Sequence, residues 1–302
     1  MSIWQYREIS KKLDGEHLTL NEGDTPFDEI SFNKLKLFVK REDQNPSNSW
    51  KDRMTAFLIS KLKNKRITRG VLSTSGNAGI SFLHYSKLYP ELTLDIIVSN
   101  TINSEKLQKI KSLIQNTKHR LHQTNKAKLL RAKLVSSEQS YPISSSFDDD
   151  ALIGYWSLGF ELAAFINKIN QKIPIVFPAS SGAGVVGAVQ GIAMKIKNHD
   201  LFPQIVVCQT ESVHPLLPAE PISNNQSLAD SITDKSMKRS YQVQKIINST
   251  NGKAYVITNK ELLNLKDKFN QYSYTSLLSI AGAIKFTAEH NLENSIVIAS
   301  GM

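Results

Sequence analysis

Cysteine is the scarcest residue in this chain of 302 residues: Cys208 stands alone. A single thiol excludes an internal disulfide and a zinc site built from several cysteines. Its setting, Ile205-Val206-Val207-Cys208-Gln209, is apolar, and there a thiol serves as a small core residue rather than a nucleophile. Long hydrophobic runs are missing too, since none approaches the ~18 residues that span a bilayer. The opening, Met1-Ser2-Ile3-Trp4-Gln5-Tyr6-Arg7-Glu8, lacks the charged-then-apolar layout of a secretory leader, so a cytoplasmic protein is expected. Internal repeats and low-complexity linkers are absent. What remains is an ordinary globular composition, 40% hydrophobic with 14 Gly and 10 Pro, long enough for one large domain or two smaller ones.

Positive charge is in excess, with 37 Lys and Arg against 27 Asp and Glu. Between Asn103 and Val135 nine basic residues face a single acid, Glu105. No aromatic residue is interleaved there, and no nucleic-acid-binding module is evident. Lys106, Lys109, Lys111 and Lys118 read as the wet face of a helix whose inner face carries Leu107, Ile110 and Ile114. A patch for phosphate backbones is the weaker alternative, and steering of an anionic substrate a third. Neither nucleic acid, membrane nor metal is expected as a partner.

Short β-branched runs alternate with longer amphipathic stretches. Strands are predicted at 35–40, 70–73, 94–98, 173–177, 205–209, 254–258 and 295–299. Helices are predicted at 51–63, 78–88, 104–115, 155–167, 184–197, 259–269 and 274–289. This alternation predicts an α/β fold with mostly parallel sheets covered by helices. Ligands in such folds gather beyond the carboxyl ends of strands. The polar stretch from Pro215 to Ser240 reads as a long loop or lid.

Three punctuated segments lie at such strand ends. Pro178-Ala179-Ser180-Ser181-Gly182-Ala183-Gly184 places small side chains where backbone N–H groups and a helix start converge on an anion. A tight strand-to-helix turn explains the glycines equally well. It lacks the lysine of a nucleotide P-loop and the spacing of a dinucleotide fingerprint. Ser73-Thr74-Ser75-Gly76-Asn77-Ala78-Gly79 offers donors to a carboxylate, and Asn77 can reach a ring hydroxyl. The competing reading, favoured for this loop in isolation, is helix capping by Ser75 or Asn77. In Asn45-Pro46-Ser47-Asn48-Ser49-Trp50-Lys51-Asp52-Arg53, Lys51 sits between a strand and a helix. Trp50 and Met54 would desolvate its amine and lower its pKa. Asp52 and Arg53 would equally suit a surface ion pair.

In this order the segments resemble the fold-type II family of pyridoxal-phosphate enzymes (the tryptophan synthase β-like fold). Asn45 to Arg53 looks like its Schiff-base segment, Ser73 to Ala78 its asparagine loop, and Ser180 to Gly184 its phosphate cup. Ile296-Val297-Ile298-Ala299-Ser300-Gly301 looks like its closing strand. Within the family the chain is most similar to threonine synthase, through Asn21-Glu22-Gly23-Asp24-Thr25-Pro26 and the Lys-Asp-Arg triplet. Gly154-Tyr155-x-x-Leu158-x-x-Glu161 suits the helix before the phosphate strand. Trp50 stands where the family usually has Phe, Met54 where glycine is common, and the cup is less glycine-rich than usual.

The resemblance implies pyridoxal 5′-phosphate as cofactor, with Lys51 as the catalytic lysine that binds it. Asn77, Ser180, Ser181, Gly182, Ala183, Gly184 and Ser300 would complete the cofactor site. Ser49, Thr74, Ser75, Gly76 and Ala78 would bind the substrate, an amino acid expected to be phosphorylated. The implied domains are 1–50 with 136–302, larger and cofactor-binding, and 51–135, smaller, with the active site between them. The implied reaction converts O-phosphohomoserine and water to threonine and phosphate. β-Replacement on an activated serine, of the cysteine or cysteate synthase type, and Ser/Thr dehydration are the enzymatic alternatives. The end of the sequence at Met302, where related enzymes continue, keeps an inactive binding homologue open as a third. A homodimer or a monomer fits the family.

Overall fold

The computed structural model describes residues 2–144, 146–217 and 226–301. In chain order its strands are β1 (Phe27–Phe32), β2 (Leu35–Lys40), β3 (Arg69–Ser73), β4 (Thr93–Val98), β5 (Arg120–Gln123), β6 (Tyr141–Pro142), β7 (Ile175–Pro178), β8 (Ile205–Thr210), β9 (Lys253–Ile257) and β10 (Asn294–Ile298). Its α-helices are α1 (Arg7–Ser10), α2 (Lys51–Asn64), α3 (Asn77–Tyr85), α4 (Ser104–Ile114), α5 (Ala127–Glu138), α6 (Asp150–Ile169), α7 (Ala183–Lys195), α8 (Ser240–Ser249), α9 (Asn259–Lys266) and α10 (Tyr274–His290). The chain forms two compact units, Met1–Gly23 with Lys51–Gly154, and Asp24–Trp50 with Tyr155–Met302. Among the described residues, no helix is long and apolar enough to cross a membrane.

The first unit holds a four-stranded parallel sheet in the order β5-β4-β3-β6. The second holds a six-stranded sheet in the order β1-β2-β10-β7-β8-β9, parallel except for the antiparallel pair β1 and β2. Every residue of β7 and β8 is buried. Such uninterrupted burial is what a parallel strand covered on both faces requires. Leu277, Leu278, Ile280 and Phe286 of α10 share one apolar cluster with Val176, Val206 and Val297 of the sheet. The fold therefore carries the residues after β2, β3, β7 and β10 to strand carboxyl ends, where the sequence motifs lie.

The seven predicted strands are present with ends shifted by two residues or fewer. Unforeseen are β1, β5 and β6 together with α1, α5 and α8. β1 carries Asp28 and Glu29 and has no buried residue, so it gives no apolar run. In α5 the buried residue is Leu134, too little to mark an apolar face. The stretch expected as a loop from Pro215 to Ser240 is irregular where described and ends as α8 begins; residues 218–225 lie outside the described residues.

The domain boundaries, expected at 1–50 with 136–302 and at 51–135, require correction. Residues 136–154 join the first unit because β6 pairs with β3 and Lys61 holds Asp148 and Asp150 at 3.1 and 2.6 Å. Residues 1–23 join it through Glu22, whose buried carboxylate accepts the Ile3 N–H at 3.3 Å and the Tyr85 hydroxyl at 2.8 Å. The Leu18 N–H adds a bond to Ser60 Oγ at 2.8 Å.

From Asp24 the chain belongs to the second unit. The Asp24 N–H donates to Glu161 at 2.9 Å, and Glu161 pairs with the buried Lys40 ammonium at 2.6 Å. Lys40 also donates to the Thr25 carbonyl. Removing one member of a buried ion pair strands the other charge. Lys40→Ala is expected to cost about 3–5 kcal/mol in chemical denaturation, and the paired replacement Lys40→Met with Glu161→Leu far less.

Candidate active site

Lys51 is the first residue of α2 and follows the peptide bond at which the chain leaves the second unit for the first. Burial pushes its amine down from the ordinary 10.5 to about 8, because desolvation disfavours the ammonium. An amine so shifted is neutral often enough near neutral pH to attack a carbonyl carbon. Asp52 and Arg53 do not form the surface ion pair that the sequence allowed, since both are fully buried.

The loop after β3 lies in the same unit. Thr74 Oγ1 accepts the N–H of Gly76 at 3.0 Å and that of Gly79 at 3.3 Å. Gly76 is the N-cap of α3 and supplies no side-chain cap bond. Thr74 thus braces the loop from within. Ser75 is exposed, Asn77 half-buried, and Gly76 and Ala78 are buried. Ser81, one turn beyond Asn77, donates to Asp52 and so ties α3 to the first turn of α2.

Lys106 departs from the expected wet face. It is buried, and its aliphatic stem lies over Gly76, where an added Cβ would come within 2.8 Å of the Lys106 Cδ. Lys109 is half-buried and its pKa is lowered by that burial, whereas Lys111 and Lys118 are exposed as expected. A helix periodicity shows which face turns inward but not that a lysine stem will be laid across a glycine.

The second unit contributes the loop after β7. Gly182 adopts a left-handed conformation with φ of 87° and caps α7 without a side-chain bond. The leading N–H groups of α7 therefore converge on this turn, the arrangement that binds anions. The Ser180 hydroxyl accepts the N–H groups of Thr233 and Asp234 at 3.2 and 3.1 Å, and the Ser181 carbonyl accepts that of Arg239 at 3.3 Å. Ser180 thus uses its side chain to hold residues 233–234, which leaves backbone N–H groups as the loop's main offering.

Trp50 joins this loop to the other second-unit residues singled out from the sequence. A Cβ at Gly184 would lie 2.5 Å from the Trp50 ring, so only glycine allows the contact. Trp50 packs on Tyr155 with ring centroids 5.4 Å apart, and its N–H donates to the Ser300 carbonyl at 3.2 Å. Ser49 Oγ donates to the same carbonyl at 3.3 Å, and Ser49 forms a bridge with Gly301. Ser300 is buried at the end of β10. The segment preceding Lys51, the loop at Gly184 and the end of β10 are therefore one packed assembly. Sequence reasoning assigned Trp50 only a desolvating role; the signal for more was a large aromatic within a chain whose cup retains glycine at 184.

A family model described as "Pyridoxal-phosphate dependent enzyme" matches residues 18–284. The chain belongs to this family. It is similar to threonine synthase of Methanosarcina acetivorans, 24% identical over 87% of this chain and 68% of the relative. It is also similar to a biosynthetic L-threonine dehydratase of Pasteurella multocida, 26% identical over 87% of this chain, which spans 52% of that relative. Among solved structures, an O-acetylserine-dependent cystathionine β-synthase from Helicobacter pylori matches with a TM-score of 0.74, 16% identity and coverage of 93% of each chain. The shared architecture is that of fold-type II pyridoxal-phosphate enzymes.

The residues present fit the family's cofactor. A lysine with a lowered pKa suits its aldehyde, and an uncapped helix start behind a left-handed glycine suits its phosphate. Only the neutral amine reacts with an aldehyde. The rate of pyridoxal phosphate uptake, followed by absorbance, is therefore expected to climb with pH through about 8 and to level off above it. A climb that continues to about 10.5 would mean an unperturbed lysine.

Proposed function

We propose that this family member acts as a threonine synthase-like lyase, releasing phosphate from O-phosphohomoserine and adding water to give threonine. The observation that carries the reading is the desolvated Lys51 amine within Ser49-Trp50-Lys51-Asp52-Arg53. The Glu22–Pro26 motif and the threonine synthase relative support the choice of substrate.

When bound, pyridoxal phosphate supplies the electron sink for charge developing at the substrate Cα. Lys51 then removes and returns the α-proton, a task for an amine whose pKa lies near the working pH. The Ser180–Gly184 backbone would hold the cofactor phosphate, and Asn77 would contact the 3′-oxygen. Ser300 would bond the pyridine nitrogen with a neutral hydroxyl, which favours elimination and replacement over transamination. Ser75, Gly76 and Ala78 would receive the substrate carboxylate, with Thr74 bracing the loop and Ser49 beside them in the substrate site. In the overall change the Cγ–O bond breaks and phosphate leaves with the electron pair; Cβ exchanges one hydrogen for the hydroxyl of water, Cγ gains a proton to become the methyl group, and the proton left from water goes to phosphate.

β-Replacement on an activated serine is the second reading, and the O-acetylserine-dependent enzyme of the same fold favours it. Cofactor-loaded protein is expected to release threonine and phosphate in equal amounts from O-phosphohomoserine. Lys51→Ala should lose that activity by roughly 10³-fold or more. No turnover of O-phosphohomoserine, with consumption of sulfide and O-acetylserine instead, would replace the first reading by the second.

A further inference from the structure

Asp52, Thr55 and Ser81 form a buried polar chain that the proposed chemistry does not use. All three have no exposed surface. The Ser81 hydroxyl lies 2.5 Å from Asp52 Oδ1 and 2.8 Å from Thr55 Oγ1. A serine hydroxyl has one proton, and a carboxylate is the stronger acceptor. Ser81 therefore gives its proton to Asp52, with the Thr55 hydroxyl as the other acceptor within its reach.

The placement of these residues matters more than their strength. Asp52 follows Lys51 directly in the first turn of α2, where the helix dipole favours a negative charge. Thr55 lies one turn further along α2, four residues after Lys51. Ser81 lies four residues after Asn77, so the two share one face of α3. An apolar pair of the same size would hold two helices together about as well, since a buried charge brings little net stability. What a short charge-assisted bond adds is direction: a slide or rotation of α3 against α2 breaks it.

We propose that Ser81 and Asp52 are positioning residues that fix the Asn77 end of α3 in register with the Lys51 end of α2. The inference rests on Lys51 and Asn77 being the cofactor's partners. Ser81 and Asp52 touch neither the cofactor nor the substrate in this account. They set where Asn77 stands relative to the lysine, and so the contact it makes with the cofactor's 3′-oxygen.

The test compares wild-type protein, Ser81→Ala and Ser81→Thr, each titrated with pyridoxal phosphate. Affinity, the position of the lysine-bound absorption band and the melting temperature are read together. Ser81→Ala is expected to bind about tenfold more weakly, the size of one charge-assisted bond, with a displaced band. Ser81→Thr keeps the hydroxyl and should return both towards wild type. Asp52→Asn, nearly isosteric, gives an independent measure and should displace the band in the same direction. A lower melting temperature in Ser81→Ala with affinity and band unchanged would overturn the proposal, as would an unchanged band in Asp52→Asn. If wild-type protein shows no lysine-bound band, or Lys51→Ala retains it, the reading of Lys51 fails first and the inference falls with it.

Discussion

The Trp50 indole lies on Gly184 with no room for even a methyl group between them, while its backbone N–H is bonded to Ser300. This packing lets three distant stretches of sequence act as one support. The loop after β7 turns through the left-handed Gly182, and the end of β10 buries Ser300. The segment from Asn45 ends at Trp50, and Lys51 is the next residue of the chain. A rigid aromatic gives up little side-chain freedom on burial and offers a large contact area, so it suits this role better than a flexible aliphatic chain. Covalent continuity does the rest, because Lys51 can stand no further from Trp50 than one peptide unit allows.

A second constraint is the burial of charge. Glu22 is buried and its pKa is raised, chiefly by that burial, although the Tyr85 hydroxyl and backbone donors oppose the shift. Lys40 and Glu161 solve the same problem as a pair in the second unit. These groups anchor residues on either side of Gly23, so the motif Glu22-Gly23-Asp24-Thr25-Pro26 is an architectural element. Its buried polar members, Glu22 and Thr25, are used in holding the chain. Lys51 differs in kind: its burial lowers the pKa of its amine and so favours the neutral form.

Much of the fold could be read from the sequence because parallel strands buried on both faces leave long β-branched runs, as in β7 and β8. Edge elements such as β1 and β5 carry charges and left no such trace. The order of the motifs announced the family, since each sits at a strand end where this fold gathers ligands. Less could be read of what individual side chains do. Thr74 braces its loop, Ser180 holds residues 233–234, and Lys106 lies across Gly76 instead of facing water. The domain boundary at 135 missed the pairing of Tyr141 and Pro142 with β3 and the ion pairs of Lys61. All of these depend on tertiary neighbours that a local pattern does not encode.

The central proposal is that Lys51 is the residue that binds pyridoxal phosphate. Reduction of the cofactor-loaded protein with borohydride, followed by peptide mass mapping, tests it directly. A pyridoxyl group on Lys51 is the expected result. A pyridoxyl group on another lysine, or on none, would contradict the account.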